Sequence, residues 1–341
     1  MQLPGETFDR IRQMAGDRVV CVTGGAGFIG GHVVNTLVAA GASVRVIDDL
    51  SNSSLDAIAD DVELHADRVR FVYGSILDER AIDEAVNGAD VVMHLAAMGS
   101  VPRSLEEPER AVAVNTTGTL RVLEAARRHG ARRVVLAASS SAYGNPERLP
   151  CNEDFRPQPL SPYAASKLAA EELCRAWSAS YGLSTVCLRY FNVFGPRQRA
   201  DSAYAAVVAA FASRLLAGKA PMIFGDGEQS RDFTFVANAV YAMCLAAFAE
   251  SHLAGQPINI GTGSSCTVNE LAARMAERLA PAAPAAEHRD ARNGDVKDSL
   301  ASIDRARELI GYEPIVSLDA GLDQTCAWFE HTHAAASEPP A

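Results

Sequence analysis

The segment SPYAASK places a phenol and an ammonium four positions apart, at Tyr163 and Lys167. On a helix that spacing sets both side chains on one face. A lysine charge below a phenol favours the phenolate and lowers the tyrosine pKa, giving a general base able to act near neutral pH. The pair alone is common, since a helix that packs its tyrosine inward and solvates its lysine carries the same letters. A second polar group lies upstream. Three consecutive hydroxyls, Ser139, Ser140 and Ser141, end the apolar run VVLAA that starts at Val134. They either cap a strand end or meet a substrate.

TGGAGFIG, residues 23–30, spaces glycines at Gly24, Gly27 and Gly30. Gly24 would permit a tight turn, Gly27 a close backbone approach to a pyrophosphate, and Gly30 close packing of a helix on a sheet. The helix opening there would offer free N–H groups and a positive dipole end to phosphates. Asp48 ends the next apolar run, where a carboxylate accepts hydrogen bonds from ribose hydroxyls and repels a 2′-phosphate. The combination predicts a dinucleotide site that prefers NAD to NADP.

These residues need elements to position them. Short β-branched runs over 18–23, 43–48, 69–74, 90–96, 132–139 and 184–191 alternate with helical patterns, among them 106–129 and a helix entered at Pro162 with Ser161 as its cap. This alternation predicts an α/β fold with a doubly wound parallel sheet, buried on both faces. Beyond Asn192 the rhythm changes to irregular Gly/Pro/Arg segments, suggesting a smaller lobe over the sheet. One of its helices is expected to open on a capping box, Thr267 with Glu270.

Bulk properties narrow the function. The chain has 341 residues, is 48% hydrophobic and carries a net charge of −11. That charge repels nucleic acid and anionic membranes. The seven cysteines form no C-x-x-C pair and the eight histidines no H-E-x-x-H pattern, so no metal site is expected. Buried thiols of a cytoplasmic protein fit better than disulfides. The N-terminus lacks the apolar core of a signal segment, and no run is long and apolar enough to span a membrane.

Taken in order, TGGAGFIG, HLAAMGSVPRS, AASSSAYG, SPYAASK, LRYFNVFGPRQ, GDGEQSRDF and GDVKDS are similar to the extended short-chain dehydrogenase/reductases. Within them the chain resembles the UDP-hexose 4-epimerases, especially the bacterial branch acting on UDP-N-acetylglucosamine and its uronic acid. The likeness spans residues 18 to 328 without large gaps.

The resemblance implies a Rossmann domain over 1–191, with 1–17 as an N-terminal extension. It implies a UDP-sugar lobe over 192–331, from which segments around 232–262 return to the first domain; the small, polar, Pro-bearing residues 332–341 are expected to form a flexible tail. It implies Ser139, Tyr163 and Lys167 as the catalytic group. The expected cofactor site adds Phe28, Ile29, Asp49, Asn52, Ser53, Ser75, Ile76, Leu95, Ala96, Ala97, Asn115 and Tyr190 to the glycines and Asp48. Arg231 and Arg292 would grip the diphosphate, and Asp295 would lie near the uridine ribose. Asn192 would grip the diphosphate or the sugar, and Phe224 would also contact the substrate. Gly99, Ser100, Ser140, Ser141, Gln198, Ala206 and Ser299 would line the sugar.

Three details refine the expectation. Related dehydratases carry an Asp-Glu pair where this chain has Ser140 and Ser141, and hydroxyls cannot act as that acid/base pair. Related decarboxylases carry a Glu beside the catalytic hydroxyl, absent here. Relatives restricted to non-acetylated sugars carry a bulky Tyr at the place of Ser299, so a 2-N-acetyl group should fit. One departure is Ser75, where the family has an Asp that meets adenine; looser NAD retention follows. The expected activity is interconversion of UDP-GlcNAc and UDP-GalNAc, with UDP-glucose, UDP-glucuronate or UDP-GlcNAc-uronate as alternatives. A non-enzymatic dinucleotide sensor is disfavoured because Tyr163 and Lys167 are both present. The family also commonly dimerises through a four-helix bundle, matching 106–129 and 162–181.

Overall fold

The strands of the first half follow from their letters. Val20, Val22, Val44, Val46, Val91 and Met93 point to one face of a sheet, and their neighbours Cys21, Val92, Val134 and Leu136 point to the other. Period-two alternation of wholly apolar positions demands cover on both sides. In the computed structural model, which describes residues 1, 3–199, 206–291 and 296–337, helices supply that cover.

The first half runs α1 (Gly5–Ala15), β1 (Val19–Thr23), α2 (Phe28–Ala39), β2 (Ser43–Asp48), α3 (Ala59–Leu64), β3 (Val69–Tyr73), α4 (Glu79–Val86) and β4 (Val91–His94). It continues through α5 (Val101–Glu106), α6 (Pro108–Val112), α7 (Gly118–Arg128), β5 (Arg133–Ser139), α8 (Pro162–Tyr181) and β6 (Ser184–Tyr190). The second half has β7 (Val193–Phe194), α9 (Val207–Leu216), β8 (Met222–Phe224), β9 (Ser230–Arg231), β10 (Thr234–Phe235), α10 (Val236–Phe248) and β11 (Ala254–Ile260). It closes with β12 (Cys266–Thr267), α11 (Val268–Leu279), β13 (Glu287–Arg289), β14 (Asp298–Ser299), α12 (Asp304–Ile310) and α13 (Leu318–Ser337).

A seven-stranded parallel sheet has the order β11-β6-β5-β4-β1-β2-β3. The order reverses between β1 and β4, and the crevice beyond their C-terminal ends is where such sheets bind ligands. Helices α2 and α10 pack on one face and α4, α7 and α8 on the other. Every residue of α10 is buried. Its outer side is covered by α1, whose Arg10 guanidinium donates to the Tyr241 hydroxyl at 2.9 Å. The remaining short strands form sheets of two or three strands, including β12-β9-β14.

Two expectations need correction. The helix expected over 106–129 is broken: residues Ala113–Thr117 form a π-helical turn between α6 and α7. Asn115 lies in that turn and its buried side chain is held by Met98 and Ser166. The flexible tail expected from 332 is helical through Ser337. The alanines at 334 and 335 have the highest helix propensity and prolong α13. Two local expectations are met: Ser161 caps α8 by accepting from Ala164 N at 3.1 Å, and Thr267 and Glu270 form a reciprocal capping box.

Candidate active site

The glycine turn sits at the reversal point. Gly24 has φ +70°, and a Cβ there would lie 2.6 Å from Ala96 N. A Cβ on Gly30 would overlap the Gly24 carbonyl. Helix α2 then opens at Phe28 and Ile29 behind Gly27, with no side-chain cap and no acid in its first turn. Its leading N–H groups are thus left for an anion. Asp48, at the end of β2, accepts from Ala26 N at 3.0 Å and from Leu50 N and Ser53 Oγ at 2.9 Å. Asp49 accepts from Ser51 N, and Asn52 is exposed beside it. Leu95 and Ala96 are tied to Thr23, Ala97 follows partly buried, Ile76 packs inside, and Ser75 accepts from Leu77 N. An uncapped helix end, glycines that cannot bear a Cβ and a carboxylate at the second strand fit a dinucleotide.

Ser139 ends β5 beside the same crevice. Its Oγ accepts from Ser141 N at 3.2 Å and donates to Ser141 Oγ at 3.1 Å. Ser140 opens the 3-10 turn that follows. The Tyr163 phenol lies within hydrogen-bonding reach of Ser139. This corrects the expected electrostatics. Burial raises the Tyr163 pKa, and the opposing pull comes from the Ser139 hydrogen bond, with Lys167 taking no part. Lys167 is 4% exposed, and burial pushes its ammonium down to about 8 against the attraction of Glu171. Sequence spacing reported a shared helical face but not the desolvation of both groups.

One turn beyond Lys167, Glu171 is clamped by Arg189 of β6 at 2.7 and 3.0 Å, and the pair is buried. The Arg189 guanidinium also lies 4.7 Å from the Tyr143 ring centre. Tyr190 is in register with Ser139, but its hydroxyl donates to Ala239 O at 3.2 Å, leaving only its ring toward a ligand. Asn115 is likewise spent on the protein: Oδ1 accepts from Met98 N at 2.8 Å, and Nδ2 donates to Ser166 Oγ at 2.9 Å.

Across the crevice, β9 and β14 pair Arg231 with Ser299 in register. One Arg231 nitrogen donates to the Ser230 and Lys297 carbonyls. Asn192, with φ +33°, donates to Asp232 O at 3.3 Å. Gln198 donates through Nε2 to Val193 O at 3.0 Å, while its Oε1 is buried with no partner. Ala206 precedes α9 and is exposed; Phe224 ends β8. Ser100 caps α5 through Arg103 N, and the exposed Gly99 has open space where a side chain would stand. Arg292 and Asp295 lie outside the described residues.

Sequence reasoning missed several polar groups that hold the site together: His94, Thr23, Thr119 and Ser166 behind the crevice, the Glu171–Arg189 pair, and Asp232 in the lobe. Asp232 is fully buried and accepts from Thr262 N and Oγ1 at 2.8 Å, Gly263 N at 3.1 Å and Ala301 N at 3.3 Å. The available signal was a charged or imidazole letter inside an apolar strand, as in DVVMHLA and CLRYF. Among the described residues no cluster of metal-ligating side chains occurs and no helix is long and apolar enough to cross a membrane. All seven cysteines are buried thiols.

A doubly wound sheet with a glycine turn, an acid on the second strand and a Tyr/Lys helix beside the crevice defines a dinucleotide-dependent enzyme. The family model described as NAD dependent epimerase/dehydratase matches residues 20–261. The chain is 38% identical over 313 residues to the UDP-glucose 4-epimerase of Mycolicibacterium smegmatis, covering 91% of this chain and 98% of that protein. A solved UDP-N-acetylglucosamine 4-epimerase from Methanobrevibacter ruminantium, in complex with UDP-N-acetylmuramic acid, superposes with a TM-score of 0.87 at 36% identity, covering 93% of this chain and 99% of that one. The Thermus thermophilus UDP-glucose 4-epimerase in complex with NAD gives 0.82 at 34% identity, covering 92% and 99%. The chain belongs to the NAD dependent epimerase/dehydratase family, and it is an NAD-dependent enzyme of the isomerase class.

Proposed function

We propose that the protein is a UDP-sugar 4-epimerase whose pocket takes N-acetylated sugars, interconverting UDP-GlcNAc and UDP-GalNAc. The observation that carries the reading is the pairing of Tyr163 with Ser139 at the mouth of the crevice, followed by hydroxyls at Ser140 and Ser141 instead of acids. The glycine turn, the N-terminus of α2 and Asp48 would hold NAD, which would supply the acceptor for the C4 hydride. Tyr163 takes the C4 hydroxyl proton and gives it back, and the Ser139 hydroxyl orients the sugar oxygen. Lys167, as an ammonium, holds the nicotinamide ribose. The 4-keto sugar turns between the two transfers, so C4 is inverted with no net oxidation. Arg231, with Arg292, holds the diphosphate through charge-assisted bonds, anchoring the nucleotide while the sugar turns.

Two features favour an acetylated sugar. Ser299 is small and stands in register with Arg231, next to the place proposed for the diphosphate. The buried, unpartnered Oε1 of Gln198 is suited to an amide N–H or a hydroxyl from the sugar. The protein is further proposed to form a homodimer through the α5–α8 surface, where Leu105, Val112 and Tyr181 are 62, 48 and 56% exposed. Incubation with UDP-GlcNAc, UDP-glucose, UDP-GlcNAc-uronate and UDP-glucuronate, followed by separation of the C4 epimers, tests the reading. UDP-GalNAc should form fastest; turnover of UDP-glucose or UDP-glucuronate alone would refute the choice of sugar.

A further inference from the structure

His94 is 1% exposed at the end of β4, paired in register with Thr23 at the end of β1. We propose that His94 is a positioning residue that fixes the glycine turn and the Tyr163/Lys167 helix in one register, through a buried chain of hydrogen bonds. The direction of each bond can be worked out. Thr23 Oγ1 accepts from Ala96 N at 3.1 Å, which leaves its own proton available to His94 Nδ1 at 2.7 Å. Thr119 Oγ1 donates to Asn115 O at 2.6 Å, so it accepts from His94 Nε2–H at 3.0 Å. With Nε2 carrying a proton and burial keeping the ring neutral, Nδ1 is bare and accepts the Thr23 proton, so both nitrogens are used.

The chain continues on both sides. Thr23 adjoins Gly24, and Ala96 is the residue against which Gly24 is pressed. On the other side Asn115 clamps Met98 and Ser166, Ser166 Oγ donates to Tyr163 O at 2.8 Å, and Thr116 Oγ1 donates to Ser166 O at 3.2 Å. Tyr163 N donates to Ser104 Oγ at 3.1 Å. Each link is buried or half-buried, so a broken one leaves an unpaired polar group and costs more than a surface bond. Burial also keeps the ring neutral, pushing its pKa down to about 3, with the Lys167 charge adding to the shift. A protonated ring would have no acceptor for Thr23 and would set a second positive charge near Lys167. The chain bridges cofactor cradle and base and, Tyr163 apart, includes none of the residues proposed to line the sugar, so its loss should alter NAD retention and turnover more than sugar affinity.

The inference rests on Tyr163 as the base, and the experiment separates the two. In His94→Leu, kcat should fall about 100-fold by misplacement of the base, and NAD affinity about tenfold through the loosened turn. KM for the UDP-sugar should stay within about threefold, since no link but Tyr163 is proposed to line the sugar. Thr119→Val should lower kcat and shift the His94 ring-nitrogen resonances, whereas Thr119→Ser restores both. In the wild-type holoenzyme those resonances should report one Nε2–H tautomer, unchanged from about pH 5 to 9. Wild-type NAD retention and kcat in folded His94→Leu would overturn the inference. Should that variant not fold, a Thr119→Val enzyme with unaltered kcat and ring signals would overturn it equally. An active Tyr163→Phe enzyme would instead remove the base on which the inference rests.

Discussion

The crevice above the sheet and the lobe facing it are built in opposite ways. In the crevice, Thr23, His94, Ser139 and Tyr190 all sit at the last positions of strands of one parallel sheet. Their polar atoms bond to one another or to buried backbone, so few are left to relax. In the lobe, Arg231 and Ser299 stand on two-residue strands and Asn192 in a left-handed turn. Asp232 gathers three separate stretches of chain there, and Gln198 keeps an unsatisfied oxygen. The half proposed to transfer hydride and proton is built into the ends of one continuous sheet, while the half proposed to choose the sugar is assembled from short pieces that substitution can alter cheaply.

The largest effect is expected at Asp232, a buried anchor of the lobe. Asp232→Ala should destabilise the protein by about 3 kcal/mol, because four donors lose a shared carboxylate. Urea unfolding measures it; a loss under about 1 kcal/mol would show the lobe does not depend on this joint. In the crevice, Lys167→Met sharpens the picture of desolvation. The folded-state pKa of Lys167 is lowered from 10.5 to about 8, so the unfolded chain holds the proton between those values and the folded chain does not. Relative to the variant, NAD-free wild-type protein should therefore gain about 3 kcal/mol from pH 8 to 10.5, set against the loss both proteins share as their buried cysteines and Tyr143 ionise on unfolding. Parallel stability curves for the two proteins over that range would contradict the burial of the ammonium.

A smaller effect tests the lobe as the selector. Ser299→Tyr should reduce turnover of acetylated sugars about tenfold while sparing UDP-glucose. Equal losses on both would remove Ser299 from the sugar pocket. The smallest effect belongs to the cofactor rim. Ser75→Asp should tighten NAD retention by about 1 kcal/mol, read as slower loss on dialysis, by restoring a charged acceptor for the adenine amino group. Stoichiometric NAD surviving long dialysis of the wild-type protein would leave nothing for that substitution to improve.

What the sequence disclosed divides along the same line. Strands β1 to β6 and their cofactor turn were legible because buried parallel strands are apolar runs and glycines mark where a side chain would collide. Helix α8 was legible from Ser161 and Pro162. The π-helical turn at Asn115 was hidden, because it depends on partners at Met98 and Ser166 that are distant in sequence. The raised pKa of Tyr163 was hidden for the same reason, since desolvation is a property of the packed fold. In the lobe, Arg231 and Ser299 lie 68 positions apart in the sequence. Their pairing rests on two-residue strands that no periodicity can reveal.

Tyr163 is the group proposed to move the proton at C4. The direct measurement is the epimerisation rate of Tyr163→Phe, made on protein shown to retain bound NAD and UDP-sugar. The rate should fall by a factor of about 10³. A variant that binds both ligands and epimerises at the wild-type rate would contradict it.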